Sequence, residues 1–340
     1  MIEVRGLSKT FAGRGGLLGH RAVPALREVD LRLASGGAVS VIGESGCGKT
    51  TLGRILCGLE SYDSGSLLIE GREAKQMSLA ERRERFQRIQ LIHQDPYSAL
   101  NPTRTVRQTM LASLRLRAAA TNRSKAWTER RAAELLELVG LDPSYCLPRY
   151  PHMLSGGMRQ RVVIARALTV DPEALVADEA VAMIDVSLRL GILGILRRLR
   201  ADLGLSLLFI THDVAAARYV GEDGQLYVLY RGQVVEQGPV DEIVQRPTHP
   251  YTQCLLSAIP VMRGLERPGP DRLVPLRPLD DNVEPPGCLL ADRCPQAQDD
   301  CLLGRPPLLP AGAAGHLHAC LHPEARSVVA IPEQTASSGR

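Results

Sequence analysis

Aromatic residues are scarce in this chain: three phenylalanines, eight tyrosines and one tryptophan among 340 residues. With few rings to stack bases and no basic stripe to follow a phosphate backbone, nucleic-acid binding is not expected. A dominant charge is also missing. The 41 basic and 37 acidic residues leave a net +4, and both signs mix in stretches such as LAERRERFQR and WTERRAAELLELVG, which read as solvated helix faces. No window approaches the roughly 18 to 20 uninterrupted apolar residues of a membrane span. The opening MIEVRGLSKTF has no apolar core of an export signal. The protein is therefore expected in the cytosol, meeting a membrane only through partners. Internal repeats and low-complexity tracts are absent too.

What is present is a 44% hydrophobic chain, long enough for one large α/β domain and a smaller appendage. Residues 1 to about 70 read as strands, with MIEVRGLSKTF and AVPALREVDLRLA alternating apolar and polar positions. AVSVI is a short, wholly apolar run, the pattern of a strand buried on both faces. From about 79 to 170 the pattern reads as helical. EALVADE and LSLLFITHD then return as apolar strands around the helical LGILGILRRLRADLG. Such alternation predicts a layered α/β domain with ligands at the carboxyl ends of its strands. Thirteen of the 23 prolines lie from Pro260 onward. A small loop-rich C-terminal domain is expected there, followed by a tail without fixed structure over 326–340.

Chemistry concentrates at three strand ends. GESGCGKT, comprising Gly43, Glu44, Ser45, Gly46, Cys47, Gly48, Lys49 and Thr50, directly follows AVSVI and continues into Thr51. Its glycines let backbone N–H groups curl around a β-phosphate, Lys49 reaches the β/γ oxygens, and Thr50 offers a hydroxyl to Mg²⁺. ALVADE ends in two acids. Downstream of a phosphate loop, Asp178 is expected to serve Mg²⁺ and Glu179 to polarise the attacking water. LLFITHD brings His212 to a third strand end, where an imidazole can bond a γ-phosphate.

Eight cysteines in a reducing compartment do not form a disulfide framework. Cys47, Cys57, Cys146 and Cys254 are scattered and read as small buried hydrophobes. Cys288, Cys294, Cys301 and Cys320 are different, spaced C-x5-C-x6-C-x18-C in the proline-rich segment. A segment with little core of its own is a candidate for a metal staple. The C-x2-4-C knuckles usual for zinc are absent, and four thiolates at wider spacing also suit a 4Fe-4S cluster. His316, His318 and His322 flank Cys320 as alternative zinc ligands, although solvated surface is the expected state for them.

LSGGMRQR, which contains Ser155, Gly156 and Gly157, resembles the LSGGQ signature of ATP-binding-cassette (ABC) ATPases. Its bare N–H groups at a helix start suit a γ-phosphate. The resemblance implies a RecA-like P-loop core carrying an antiparallel β subdomain and a helical subdomain at about 86–165, within an ATPase domain of 1–260. It also implies that two cassettes sandwich two ATPs, each signature completing the other's site. By the same resemblance Phe11 stacks on adenine, Gln94 is the Q-loop residue that senses Mg²⁺ and contacts a membrane partner, Asp185 is the D-loop aspartate and His212 the switch histidine.

QDPYSALNP, RPTHPYTQCLLSAIP and the cysteine-bearing extension over 261–325 further resemble the oligopeptide/dipeptide permease ATPase subunits, whose relatives import nickel chelates and oligosaccharides. The resemblance covers about residues 1 to 325. It implies ATP hydrolysis driving import at the cytoplasmic face of the cell membrane. It also implies a second ATPase chain of different sequence, two transmembrane permease subunits and, indirectly, an extracytoplasmic solute-binding protein. It favours a 4Fe-4S cluster at the four cysteines. Met158 departs from the signature glutamine, and DEAVAMID replaces the commoner DEPTSALD, with Val181, Ala182 and Met183 at the altered positions. Those changes leave open a regulatory, weakly hydrolysing partner ATPase. A cassette acting without a transporter would carry coiled-coil insertions or tandem cassettes, and neither is present.

Overall fold

Strand β1 (Ile2–Ala12) pairs antiparallel with β2 (Ala22–Leu33), and their apolar residues alternate onto one face: Ile2 sits opposite Leu33 and Val4 opposite Leu31. With β4 (Ser64–Ile69) and β5 (Arg72–Glu73) they form a four-stranded sheet in the order β2-β1-β4-β5. The computed structural model describes residues 1–12, 22–258, 274–278 and 284–328.

The second sheet has eight strands. β3 (Ala38–Ile42), β6 (Ile89–Ile92), β7 (Ala174–Asp178), β8 (Ser206–Ile210), β9 (Gln225–Tyr230), β10 (Gln233–Pro239), β11 (Leu309–Pro310) and β12 (Leu317–His318) lie in the order β11-β12-β10-β9-β3-β8-β7-β6. The run from β9 to β6 is parallel, and β10 turns antiparallel onto β9. Every residue of β3, β7 and β8 is buried, as continuous apolar runs covered on both faces require. Because β3, β8 and β7 are adjacent and parallel, their carboxyl ends emerge along one edge, which is where such sheets place their ligands.

Helices supply the covering layers. The sequence reading of 79–170 as helical is corrected at β6, where the four residues Ile89–Ile92 complete the sheet edge against β7. Local sequence does not distinguish so short an apolar run from a helix turn; pairing with β7 decides it. The helices after it include Val106–Ala120, started by a capping box of Thr105 and Gln108, Lys125–Leu138 and Gly156–Ala167. They bury Met110, Leu114, Leu135, Leu136, Val162 and Val163 in a shared core.

Among the described residues, the C-terminal segment shares its core with the sheet. Leu289, Leu290 and Cys294 pack with Ile42, Val228, Tyr230 and Tyr251 in one cluster, and β12 pairs with β10. At the expected tail, Arg326 N–H donates to the Pro247 carbonyl and Val328 is buried, so order continues to residue 328. The remainder of that tail, 329–340, and the expected domain boundary at 260/261 lie outside the described residues. Among the described residues, no helix is long and apolar enough to cross a membrane.

Candidate nucleotide-binding site

The loop after β3 bends where only glycine fits well. Gly48 has φ +108°, and a Cβ there would collide with the Ala25 carbonyl; at Gly43, φ +156°, it would meet the Leu229 carbonyl. The helix Lys49–Leu56 starts directly behind it. Lys49 is buried, its Nζ donating to the carbonyls of Gly43 and Glu44 at 2.8 Å each. Thr50 Oγ1 donates to Asp178 Oδ1 at 3.2 Å, which brings the loop to the end of β7. Burial raises the Asp178 pKa, while the Thr50 hydrogen bond and the Lys49 charge pull it back. A hydroxyl and a buried carboxylate, both hard oxygen donors, fit Mg²⁺.

Glu179 follows in the left-handed region at φ +47°, an uncommon conformation for a residue with a Cβ. Its N–H donates to the Ile210 carbonyl of β8, and its side chain is largely buried. Gln94 Nε2 donates to Glu179 Oε2 at 2.9 Å, and His212 Nδ1 lies 3.5 Å from Glu179 Oε1. Three strand ends thus converge on one carboxylate. Phe11, Ser45, Gly46, Gly48, Lys49, Thr50, Thr51, Gln94 and Glu179 line a single cavity of about 350 Å³. Phe11 stands at its mouth, 38% exposed and paired with Val23.

The signature residues do not reach that cavity. Ser155 caps the helix Gly156–Ala167 by accepting from the Met158 N–H, and it lines a separate hollow with Gly157, Met158 and Arg161. A Cβ placed on Gly156 would meet open space. Asp185 is exposed ahead of the helix Val186–Leu203 and makes no side-chain cap.

The ABC transporter family profile matches residues 26–182, and that of the oligopeptide/dipeptide transporter C-terminal region matches residues 235–301. The dipeptide transport ATP-binding protein DppF of Escherichia coli (strain K12) is 37% identical over 321 residues, covering 94% of this chain and 93% of the relative. The chain belongs to the oligopeptide/dipeptide-type ABC ATPase subunits. The di/tripeptide transport ATP-binding protein DppF of Pseudomonas aeruginosa (strain UCBPP-PA14) is 36% identical over 310 residues, covering 88% of this ABC ATPase subunit and 91% of the relative. Among solved structures, the dimeric post-hydrolysis ATP-binding cassette MJ0796 bound to ADP and Pi matches with a TM-score of 0.61 and 27% identity, covering 71% of this chain and 99% of that one. The subunit is an ATPase.

In this ABC subunit Cys288, Cys294, Cys301 and Cys320 all line one small cavity, together with His249 and His322. Its free space is about 20 Å³, roughly one water sphere. Tetrahedral zinc with Zn–S near 2.3 Å needs sulfurs roughly 3.8 Å apart. Among the described residues, the single-ion grouping is instead Asp300, Cys301 and His322. Burial pushes the Cys320 thiol up to about 11 and raises Cys288 and Cys294 as well. The donor types, four thiols around one cavity, match a group bound by several thiolates, while the free space between them holds about one water.

Of the scattered cysteines, Cys47, Cys57 and Cys146 are buried and Cys254 is half-buried, and burial raises the Cys57 thiol to about 12. The expectation that His316 and His318 are solvated is corrected. Both are buried; His316 Nε2 bonds Glu236 Oε1 at 2.7 Å, and His318 Nδ1 accepts from the Cys320 N–H. A carboxylate on the neighbouring strand β10, invisible in the local sequence, draws His316 inward. His322 stays half-exposed against Asp300.

Sequence reasoning missed Tyr251 and Arg293. The Glu44 N–H donates to the Tyr251 hydroxyl at 2.7 Å, and Arg293 grips the Glu44 carboxylate with Nη1 at 2.9 Å and Nη2 at 3.1 Å. Tyr251 lies inside the noted RPTHPYTQCLLSAIP stretch, but no spacing links Arg293 to a loop 249 residues away.

Proposed function

We propose that this subunit hydrolyses ATP in the cavity behind the 43–50 loop and thereby drives import of a peptide or related solute through membrane permease subunits at the cytoplasmic face. The observation carrying this reading is that Lys49, Thr50, Gln94 and Glu179 line one cavity, with Asp178 bonded to Thr50 and His212 set against Glu179 beside it. Phe11 supports adenine at the mouth. Loop N–H groups from Ser45 to Thr51 and the Lys49 ammonium hold the phosphates, Lys49 exchanging its two carbonyl partners for phosphate oxygens. Thr50 and Asp178 hold Mg²⁺, joined by Gln94, and the ion when bound neutralises phosphate charge. Glu179 accepts a proton from the attacking water, with Gln94 and His212 orienting its carboxylate.

A second ATPase chain supplies Ser155, Gly156, Gly157 and the Asp185 loop across a shared interface. The separation of the signature from the phosphate cavity within one chain supports this arrangement. A weakly hydrolysing regulatory role is less well supported, because every hydrolytic group is present despite the altered residues at 181–183. The peptide class rests on relatives whose printed names are dipeptide and di/tripeptide transport proteins. For the four cysteines the donor types favour a 4Fe-4S cluster, which would supply a multi-thiolate crosslink to the segment. The test is co-purification of the tagged subunit with permease subunits, combined with ATP turnover of that complex. Turnover abolished by Glu179→Gln and stimulated by peptide supports the reading; an isolated subunit whose turnover survives that change removes it.

A further inference from the structure

The polar groups of Glu44 are all engaged. Its N–H goes to the Tyr251 hydroxyl, its carbonyl accepts from Lys49 Nζ at 2.8 Å and from the Cys47 N–H at 3.3 Å, and its carboxylate is held by Arg293. Lys49 Nζ also donates to the Gly43 carbonyl at 2.8 Å, so the ammonium hangs from both sides of the Glu44 backbone, whose place sets where Lys49 begins. Arg293 is itself fixed: only 8% exposed, it donates through Nε to the Arg277 carbonyl at 3.0 Å and through Nη1 to the Tyr230 hydroxyl at 3.4 Å. Tyr230 in turn packs against Tyr251 with ring centroids 4.6 Å apart.

The backbone beneath Arg293 belongs to the cysteine segment. Ala291 N–H donates to the Cys288 carbonyl, both Arg293 and Cys294 N–H groups donate to the Leu290 carbonyl, and Cys288 N–H donates to the Cys301 carbonyl. The turn bracketed by Cys288 and Cys294 thus aims the guanidinium. A bidentate fork bonds only while its plane matches the carboxylate, so a small rotation of that turn releases Glu44.

We propose that Arg293 is a positioning residue for the phosphate loop, through which the four-cysteine segment sets the affinity of the loop for ATP. The proposal rests on the reading of the 43–50 loop as the ATP site. A bond that merely staples the C-terminal segment would change stability without changing nucleotide affinity.

The test is equilibrium binding of Mg-ATP to the full-length chain carrying Glu179→Gln to stop turnover. Arg293→Lys keeps the charge but not the fork, and Glu44→Gln alters the same pair from the more exposed side, should the arginine variant fold poorly. Each is expected to weaken ATP binding about five- to tenfold, as loss of one side of a charge-assisted pair implies, and the double variant is expected to be no weaker than either single. Cys294→Ser is expected to weaken binding in the parent and to add nothing to Arg293→Lys. Singles that lower the thermal midpoint but bind ATP within about twofold of the parent, or effects that multiply in the double, overturn the proposal. Lys49→Ala separates the two failures: if it binds ATP as the parent does, the phosphate-loop reading itself falls. If it alone loses binding, only the role of Arg293 falls.

Discussion

At the scale of single residues, the proposed hydrolysis rests on Glu179. Its left-handed backbone turns the carboxylate away from β7 toward Gln94 and His212, a local cost of about 1 kcal/mol or more that the surrounding sheet sustains. Glu179→Gln keeps the shape and removes the base, so kcat for ATP is expected to fall at least about a hundredfold while ATP binding persists. Phosphate release at saturating ATP, set beside equilibrium nucleotide binding, measures both. Lys49→Ala acts differently. The ammonium is buried between two carbonyls, and in the proposed mechanism it serves the phosphates directly, so ATP binding itself is expected to be lost.

At the scale of elements, the phosphate loop is made by its glycines and by the strands on either side. Gly48→Ala places a methyl group against the Ala25 carbonyl in a backbone region hostile to it. It is expected to cost about 1 to 3 kcal/mol of stability and to abolish ATP binding, because Lys49 and Thr50 start the helix immediately after. Thermal unfolding and nucleotide titration of this variant provide the check; a stable protein that binds ATP normally would mean the loop tolerates rearrangement.

At the scale of the whole molecule, the C-terminal segment is a covering layer over β9 and β10. Leu289, Leu290 and Cys294 share a core with Tyr230 and Tyr251, and the buried Glu236 gathers His316, Thr248 and the His249 N–H around one carboxylate. Thr248 and His249 still hold the carboxylate when His316 is removed, so His316→Ala, which deletes one hydrogen bond to a charged group, is expected to destabilise the protein by about 1.5 to 3 kcal/mol, read as a fall in the unfolding midpoint. Iron, acid-labile sulfide and zinc contents of the chain purified without oxygen test the cysteines. About four iron and four sulfide per chain are expected, lost in Cys294→Ser; one zinc would replace the cluster by a single-ion staple.

The sequence by itself determined the motifs that are contiguous. The phosphate loop, the acid pair at 178 and 179, the strand-end histidine and the signature each occupy a few consecutive residues whose backbone form follows from glycine and apolar runs. The buried strands β3, β7 and β8 were legible for the same reason. What only the tertiary structure decided involves partners far apart in the chain: the assignment of Ile89–Ile92 to the sheet edge, the burial of His316 and His318, and the grip of Arg293 on Glu44. Periodicity records which face of an element is apolar, whereas strand pairing and buried charge pairs depend on which elements meet, and packing alone supplies that.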